Sequence, residues 1–337
     1  MIERRPGFAR VKTRVTVVGL VLGLTFVGWV APAGAQGRRH AVVVQGASGG
    51  GEYAALHRGW LDALVGLLAG QYGFDAADLT VLAEQAGEGE ERATAEAVRA
   101  ALGRLAGELT DDDLLFVMLI GHGSGVGDEA KFNLLGPDLS VTDWRGLLQP
   151  IAGRMVVVDA TSSSFPFLSG LAAPGRIVIT ATNSPAQRYH TVFAQAFIEA
   201  LAAGSADSDQ NGRVSVLEAF VYASRLVDLQ YEQSGEMATE HAVLDDTGDG
   251  EGRLAEAEDA ADGVVAEATY LAVVEVPTSS DPEVQRLLVR QQELNDELDD
   301  LRRRRSTMVT EEYDREFERL VTELAVVSAE IRRRGGG

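Results

Sequence analysis

The chain has 337 residues, with 51 Asp and Glu against 30 Lys and Arg, 45% hydrophobic residues and no cysteine. Its formal charge of −21 excludes the basic face that phosphate groups require, so we expect no nucleic-acid partner. The lack of cysteine excludes disulfides, thiolate metal sites and a thiol nucleophile.

The first segment, residues 1–35, has the pattern of a secretory signal peptide. Basic residues precede an apolar run over residues 15–30, and Ala33-Gly34-Ala35 then supplies a small-residue cleavage pattern. An uncleaved membrane anchor is the alternative, because the apolar run is only slightly shorter than a spanning helix. The sequence therefore predicts an exported protein, periplasmic or extracellular, that contacts a membrane only if this segment is retained.

Residues 36–277 alternate short apolar runs with amphipathic stretches, which is typical of a mostly parallel sheet with helices on both faces. The predicted strands cover residues 41–44, 79–82, 114–120, 155–158 and 177–180, with a last extended segment at 269–276. The predicted helices cover residues 53–68, 90–109, 141–148 and 191–201. In such a doubly wound α/β domain, ligands bind at the carboxyl ends of the strands.

Two predicted strands end in residues that can take part in catalysis. The strand at 114–120 is followed by Gly121-His122-Gly123, and the strand at 155–158 by Asp159-Ala160-Thr161 and three serines. An imidazole between two glycines at a strand end can meet a substrate. Taken alone, the histidine motif more often marks a residue that only caps a loop.

Together the two motifs resemble those of the caspase-like and legumain-like cysteine peptidases. In that superfamily one strand ends in His-Gly and a following strand ends in Asp-Ala-Cys-x-Ser-Gly; the resemblance covers roughly residues 39–249. It implies a caspase-like fold in which His122 matches the general base or acid. Thr161 stands at the position of the cysteine nucleophile, Ser163 matches the motif serine, and Ser164 replaces the motif glycine.

The threonine at position 161 favours loss of peptidase activity. A cysteine thiol is partly ionised near neutral pH, whereas a threonine hydroxyl needs a well-oriented base or an N-terminal amine, and Thr161 lies mid-chain. We therefore expect an exported caspase-like pseudo-peptidase that binds or scaffolds a peptide or protein ligand. The alternative is an active peptidase or hydrolase that uses an oxygen nucleophile (Thr161, Ser162 or Ser163) with His122, aided by Asp159.

Residues 178–183 resemble the strand and loop that line the specificity pocket of the same superfamily. In the loop that follows, Gln187, Arg188 and His190 could contact a ligand. A solvated loop leading into the next helix is the alternative interpretation.

Residues 207–218 match the EF-hand loop pattern D-x-[DN]-x-[DN]-G-x5-E in full, and apolar helices flank them. The predicted calcium ligands are Asp207, Asp209, Asn211, the Arg213 carbonyl, Ser215 and a bidentate Glu218. The alternative is an acidic turn that caps the helix beginning near Ser215. A second loop, 245–256, repeats the spacing with Thr247 at its third position, and is either a paired site or a flexible acidic turn.

Residues 281–334 place apolar side chains at helical spacing in two seams, with a break in phase over 308–313. The break predicts two antiparallel helices, the first starting at Asp281-Pro282 and the second capped by Thr310. This helical hairpin either packs on itself and on the α/β domain or forms a coiled coil through which the chain self-associates.

Overall fold

The computed structural model describes residues 37–257, 261–272, 277–305 and 308–335. The signal segment predicted at residues 1–35 lies outside the described residues. Among the described helices, none combines the length and apolar character that a membrane span requires.

A seven-stranded sheet forms the centre of the α/β part. Its strands are β1 (Arg39–Gln45), β2 (Leu79–Ala83), β3 (Glu91–Arg92), β4 (Leu114–Ile120), β8 (Arg154–Asp159), β9 (Arg176–Thr180) and β10 (Val243–Asp245). A separate small sheet contains β5 (Gly123–Ser124), β6 (Lys131–Phe132) and β7 (Leu139–Ser140). The order in the large sheet is β10-β9-β8-β4-β1-β2-β3, and every neighbouring pair is parallel except β9 and β10. The predicted mostly parallel sheet is confirmed.

Helices cover both faces of this sheet. On one face lie α1 (Gly51–Ala69), α5 (Phe193–Ala202) and α6 (Val216–Ser234), and on the other lie α2 (Ala95–Glu108), α3 (Val141–Leu148) and α4 (Phe165–Leu171). Strand β4 shows why both faces are apolar: all seven of its residues are buried, and alternate side chains enter the two cores. The predicted doubly wound α/β class is therefore confirmed.

The described residues also differ from the predicted elements. Helix α4, with seven residues, and the antiparallel edge strand β10, with three, are among the short elements that were not predicted. The extended segment predicted at 269–276 forms no sheet strand over 269–272, where Tyr270 makes only an isolated bridge with Ser215. Residues 273–276 lie outside the described residues.

The C-terminal helices α8 (Pro282–Arg303) and α9 (Thr310–Gly335) follow a short helix, α7 (Val264–Glu267), and form the predicted hairpin. The pairs Arg290–Glu323 at 2.8 Å and Glu297–Arg319 at 3.4 Å show that the two helices are antiparallel. Asp281 caps α8 as predicted, whereas α9 already includes Thr310 as its first residue. The apolar interior of the hairpin contains Leu294, Leu298, Leu301, Leu320 and Val327.

The hairpin also contacts the α/β part. Arg213, next to the first acidic loop, pairs with Asp299 of α8 at 3.1 Å, and both side chains are largely buried. The Arg303 guanidinium donates to the Ala268 carbonyl at 2.6 Å. Self-association through residues 281–334 stays a prediction.

The strand order fixes where ligands are expected. The chain passes from β1 to β2 on one side and then returns to β4 on the other side of β1, so the order reverses between β1 and β4. In open α/β sheets, ligands bind outside the carboxyl ends of the strands at such a switch point. His122 lies two residues beyond the end of β4, and therefore at this point.

Candidate functional site

The His122 ring lies in a cluster of rings at the carboxyl edge of the sheet. Its centroid is 4.9 Å from Tyr53, 5.2 Å from His57 and 5.9 Å from His190. Tyr53 and His57 belong to α1, while His190 belongs to the loop between β9 and α5. The site is therefore assembled from three segments that are far apart in the sequence.

Burial controls the charge of these imidazoles. Desolvation lowers the pKa of His122, and the nearby Ser48 backbone opposes this shift. Desolvation, followed by the nearby His122 and His190 rings, lowers the pKa of His57 to about 4. Desolvation and His122 also lower the pKa of His190. Neutral imidazoles therefore dominate in this cluster near neutral pH.

Thr161 takes no part in this cluster. Its side chain is 1% exposed, and its hydroxyl donates to Asp159 Oδ1 at 2.6 Å while its backbone N–H donates to the same oxygen at 3.1 Å. No hydrogen bond joins the Thr161 hydroxyl to the His122 ring, although both residues belong to the described part of the chain. The sequence correctly places both residues at one sheet edge, because β4 and β8 are adjacent, but they do not form a nucleophile–base pair.

Asp159 is fully buried behind Thr161. Desolvation raises the pKa of this carboxyl to about 7, and the two hydrogen bonds from Thr161 only partly offset the shift. Its second oxygen, Oδ2, has no hydrogen-bond partner. The Thr161 hydroxyl is thus held by a buried acid and not by an imidazole.

Ser162 and Ser163 complete the turn after β8. The Ser162 hydroxyl lies 3.3 Å from both the N–H and the carbonyl of Gly123, which joins this turn to the residue after His122. Ser163 has a φ of 58°, a left-handed conformation that is uncommon outside glycine. Its backbone N–H donates to the Gln187 carbonyl at 3.2 Å. Ser163 thus ties this turn to the loop after β9.

The loop after β9 contributes only one of its three predicted contact residues to the cluster. His190 stacks on Trp60 at 5.8 Å with an interplanar angle of 6°. The Gln187 amide instead bonds His241 at 2.7 Å, and the Arg188 guanidinium donates to the Pro185 carbonyl at 2.8 Å.

His57 is a residue that the sequence reasoning missed. It is fully buried in α1, with Tyr53 four residues before it and Trp60 three residues after it, so all three lie on one helix face. This helical spacing of two aromatic residues and a histidine was the available signal. One ring nitrogen from each of His57, His122 and His190 lies within 4.8 Å of the other two, a spacing at which the three could hold a metal ion.

The first acidic loop gathers three of its six predicted ligands. One carboxylate oxygen each from Asp207, Asp209 and Glu218 lies within 4.8 Å of the others. Asp207 also accepts hydrogen bonds from the backbone of Asn211 at 3.0 Å and Gly212 at 2.8 Å, which closes the turn. The Asn211 amide N–H donates to Asp209 at 2.9 Å, while its side-chain oxygen accepts from the Arg213 backbone N–H at 2.9 Å.

Glu218 also performs the structural role of the alternative interpretation. Ser215 is the N-cap of α6, and its N–H and hydroxyl donate to Glu218 at 2.8 and 2.9 Å in a capping box. Its other oxygen accepts from Ser208. Arg213 directs its guanidinium to the Tyr270 ring, 3.7 Å away. The loop geometry therefore fits both a cap and a cation site.

The second acidic loop uses a residue that its sequence pattern did not include. Asp245 and Asp249 have carboxylate oxygens within 4.8 Å of one on Asp262, whereas Glu256, the predicted twelfth residue of the loop, is not in this group. Asp245 is fully buried, and desolvation is the main cause that raises its pKa, with Asp262 and Asp249 adding to the shift. If this loop binds a cation, Asp262 and not Glu256 is the third carboxylate.

No family model matches the chain, and no curated protein matches it. Solved structures similar to it include protein GSU0716 from Geobacter sulfurreducens, with 14% identity and a TM-score of 0.39 over 56% of this chain and 89% of that one. They also include caspase-1 from Spodoptera frugiperda, with 12% identity and a TM-score of 0.38 over 63% and 89% of the two chains. The Drosophila initiator caspase Dronc has 11% identity and a TM-score of 0.37 over 64% and 82%.

Proposed function

We propose that this protein is an exported caspase-like pseudo-peptidase that binds calcium and acts as a binding or scaffolding protein. The observation that carries the proposal is the state of Thr161, whose buried hydroxyl donates to Asp159 and not to an imidazole. A hydroxyl nucleophile needs a base that takes its proton as it attacks. The Thr161 hydroxyl has no imidazole as a base; its partner Asp159 is kept protonated below about pH 7 by burial, and the Thr161 side chain is only 1% exposed to a substrate.

The placement of the two motifs supports a caspase-like origin. His122 and Thr161 follow the adjacent parallel strands β4 and β8, at the carboxyl edge where the superfamily has its histidine and its cysteine. Gly123 fits closely against the turn that contains Thr161. The domain therefore retains the position of a dyad whose chemistry is absent.

Export and scaffolding rest on other parts of the chain. The signal pattern of residues 1–35 supports export to the periplasm or the medium. The hairpin of α8 and α9 offers a long, charged surface for association, and Val309 and Val326 are both 64% exposed on it. A peptide or protein is the ligand that such a domain would bind.

The purified chain should show no turnover of peptide or ester substrates above that of a His122→Ala variant. The reason is that the oxygen nucleophile and the imidazole are not paired. Turnover that is lost in His122→Ala, and also in Thr161→Ala or Ser163→Ala, would overturn the proposal in favour of an active hydrolase.

A cysteine placed at position 161 tests the same geometry without a substrate. The natural chain has no cysteine, so alkylation of a Thr161→Cys variant reports one site. Since Thr161 is 1% exposed, alkylation should be at least about 100-fold slower than in an Ala186→Cys control on the exposed loop, because it must wait for local opening. Equal rates in the two variants would show an open nucleophile position.

Calcium binding rests on the oxygen ligands of the two acidic loops. Three carboxylates converge at each loop, with Asp262 joining the second loop from outside it, and hard cations such as Ca²⁺ select oxygen ligands of this kind. Desolvation, together with the neighbouring Glu218 and Asp207, raises the pKa of Asp209, so the carboxylates repel one another. A divalent cation would relieve this repulsion.

Calcium at about ten times its dissociation constant should stabilise the fold by about 1.4 kcal/mol and raise the melting temperature by roughly 3–6 °C. An Asp207→Ala variant should lose most of this rise, whereas Asp128→Ala, on an exposed loop elsewhere, should keep it. An Asp262→Asn variant reports the second loop separately. Differential scanning calorimetry measures these melting temperatures. If calcium does not raise the melting temperature of the natural chain, both sites are excluded.

A further inference from the structure

We propose that His57, His122 and His190 together bind a divalent transition-metal ion, with zinc as the ion that suits them best. This site is distinct from the two acidic loops and goes beyond the proposed function. Three of the five histidines in the chain meet here, and one ring nitrogen from each lies within 4.8 Å of the other two.

The first argument is the state of His57. Its side chain is fully buried, and neither Nδ1 nor Nε2 has a hydrogen-bond partner. A buried polar group without a partner costs free energy comparable to a lost hydrogen bond, so such groups are rare and call for an explanation. His190 Nδ1, in the same cluster, is also buried without a partner. A metal ion bonded to these nitrogens would satisfy the acceptor lone pairs that the protein leaves open.

The second argument is geometric. Two nitrogens bound at about 2.0–2.1 Å to a tetrahedral ion lie about 3.4 Å apart. The nitrogen–nitrogen distances here are at most 4.8 Å, so each pair of nitrogens must approach by no more than roughly 1.4 Å. Small rotations of the half-buried His122 and His190 side chains can provide this movement. The three ligands would come from a helix and two loops that are already in place.

The third argument concerns the atoms around the rings. Partners in the outer shell of a metal site fix the orientation of its ligands. Trp60 and Tyr53 hold the His190 ring from two sides, at 5.8 and 4.7 Å.

The ligand chemistry selects the metal. Imidazole nitrogens suit zinc, copper, nickel and iron, whereas calcium and magnesium select oxygen ligands. No carboxylate is in the three-histidine group, and the neutral imidazole is a common metal ligand. Three protein nitrogens leave a fourth position open for water or for a ligand carboxylate, as in zinc sites that are not purely structural.

Zinc binding to the purified full chain tests the inference. After dialysis against zinc, the natural chain should retain about one zinc ion per chain more than variants at His57, His122 or His190 retain. Competition with a chromophoric zinc chelator should show that His190→Ala weakens binding by more than about 100-fold, since loss of a ligand exceeds the effect of an outer-shell partner. With cobalt in place of zinc, the natural chain should show the intense visible absorption of a tetrahedral nitrogen site, and His190→Ala should lose it.

Matched controls separate this site from others. His241→Ala changes a histidine that bonds Gln187 outside the cluster, and Asp207→Ala disables the first acidic loop; both should retain zinc affinity within about twofold. The His57→Gln variant repeats the test at the buried ligand. If His57→Gln does not fold, the His122→Ala variant is used in its place. A natural chain that retains no zinc, or variants at positions 57, 122 and 190 that bind it as tightly as the natural chain, would overturn the inference. If the rings of this cluster only pack against one another, the natural chain will retain no zinc.

Discussion

An Asp159→Asn variant should be about 4 kcal/mol more stable than the natural chain at about pH 8, and nearly equal to it at about pH 4. Asp159 is fully buried beneath the turn after β8, and burial raises the pKa of its carboxyl from an ordinary value of 3.8 to about 7. Each pKa unit corresponds to about 1.36 kcal/mol, which gives the size of the expected difference.

The sign follows from proton binding. Between about pH 4 and pH 7 the folded protein keeps the Asp159 proton while the unfolded chain has lost it, so the folded state binds more protons. The free energy of unfolding therefore falls as the pH rises through this window, and its contribution is fully present only below about pH 4. An asparagine carries no titrating proton, but its carbonyl oxygen can still accept both hydrogen bonds from Thr161.

Urea denaturation of both proteins over this pH range measures the difference directly, because all other titrating groups are common to the two chains. Asp128→Asn, which removes an exposed carboxylate, serves as the control and should leave the pH profile unchanged. A constant difference between natural chain and Asp159→Asn across the whole range would show that Asp159 is ionised in the folded state. In that case the Thr161 hydroxyl would be bonded to a carboxylate that could also act as a base.

The sheet could be predicted from the sequence because its central strands are long, apolar runs buried on both faces. Strand β4 contains seven consecutive buried residues, and the short length of this apolar run between turn residues favours a strand over a buried helix. The edge strand β10 has only three residues, and it leads directly into an acidic loop. Its pairing with β9 depends on tertiary structure, which a local pattern does not contain.

Some residues of the candidate sites could be predicted from the sequence, and others could not. His122 and Thr161 could be placed at one edge because parallel strands end together, but the direction of the Thr161 hydroxyl is decided by the buried Asp159. His57 lies 65 positions before His122, and it reaches the cluster only because α1 packs on the sheet. Likewise Asp262 joins Asp245 from outside the twelve-residue loop. A spacing pattern finds ligands within one loop and misses those supplied by a distant segment.

The close approach of the turns after β4 and β8 leads to the second large effect. A Gly123→Ala variant should be destabilised by about 3 kcal/mol or more, because a methyl group at this position would overlap the Ser162 carbonyl. It would also lie 3.0 Å from the Thr161 hydroxyl oxygen and 3.3 Å from the Lys131 carbonyl. Two of these three neighbours are backbone atoms, so no side-chain rotation can make room.

Gly103→Ala provides a control of opposite sign. Gly103 lies exposed in α2 with open space around its Cα, so the added methyl group should stabilise the helix by roughly 0.5–1 kcal/mol. Chemical denaturation of both variants measures the two changes against the same natural chain. Equal stability of Gly123→Ala and the natural chain would mean that the turns after β4 and β8 are farther apart than described. Because the same turns carry His122 and Thr161, that result would reopen the possibility that the two side chains meet.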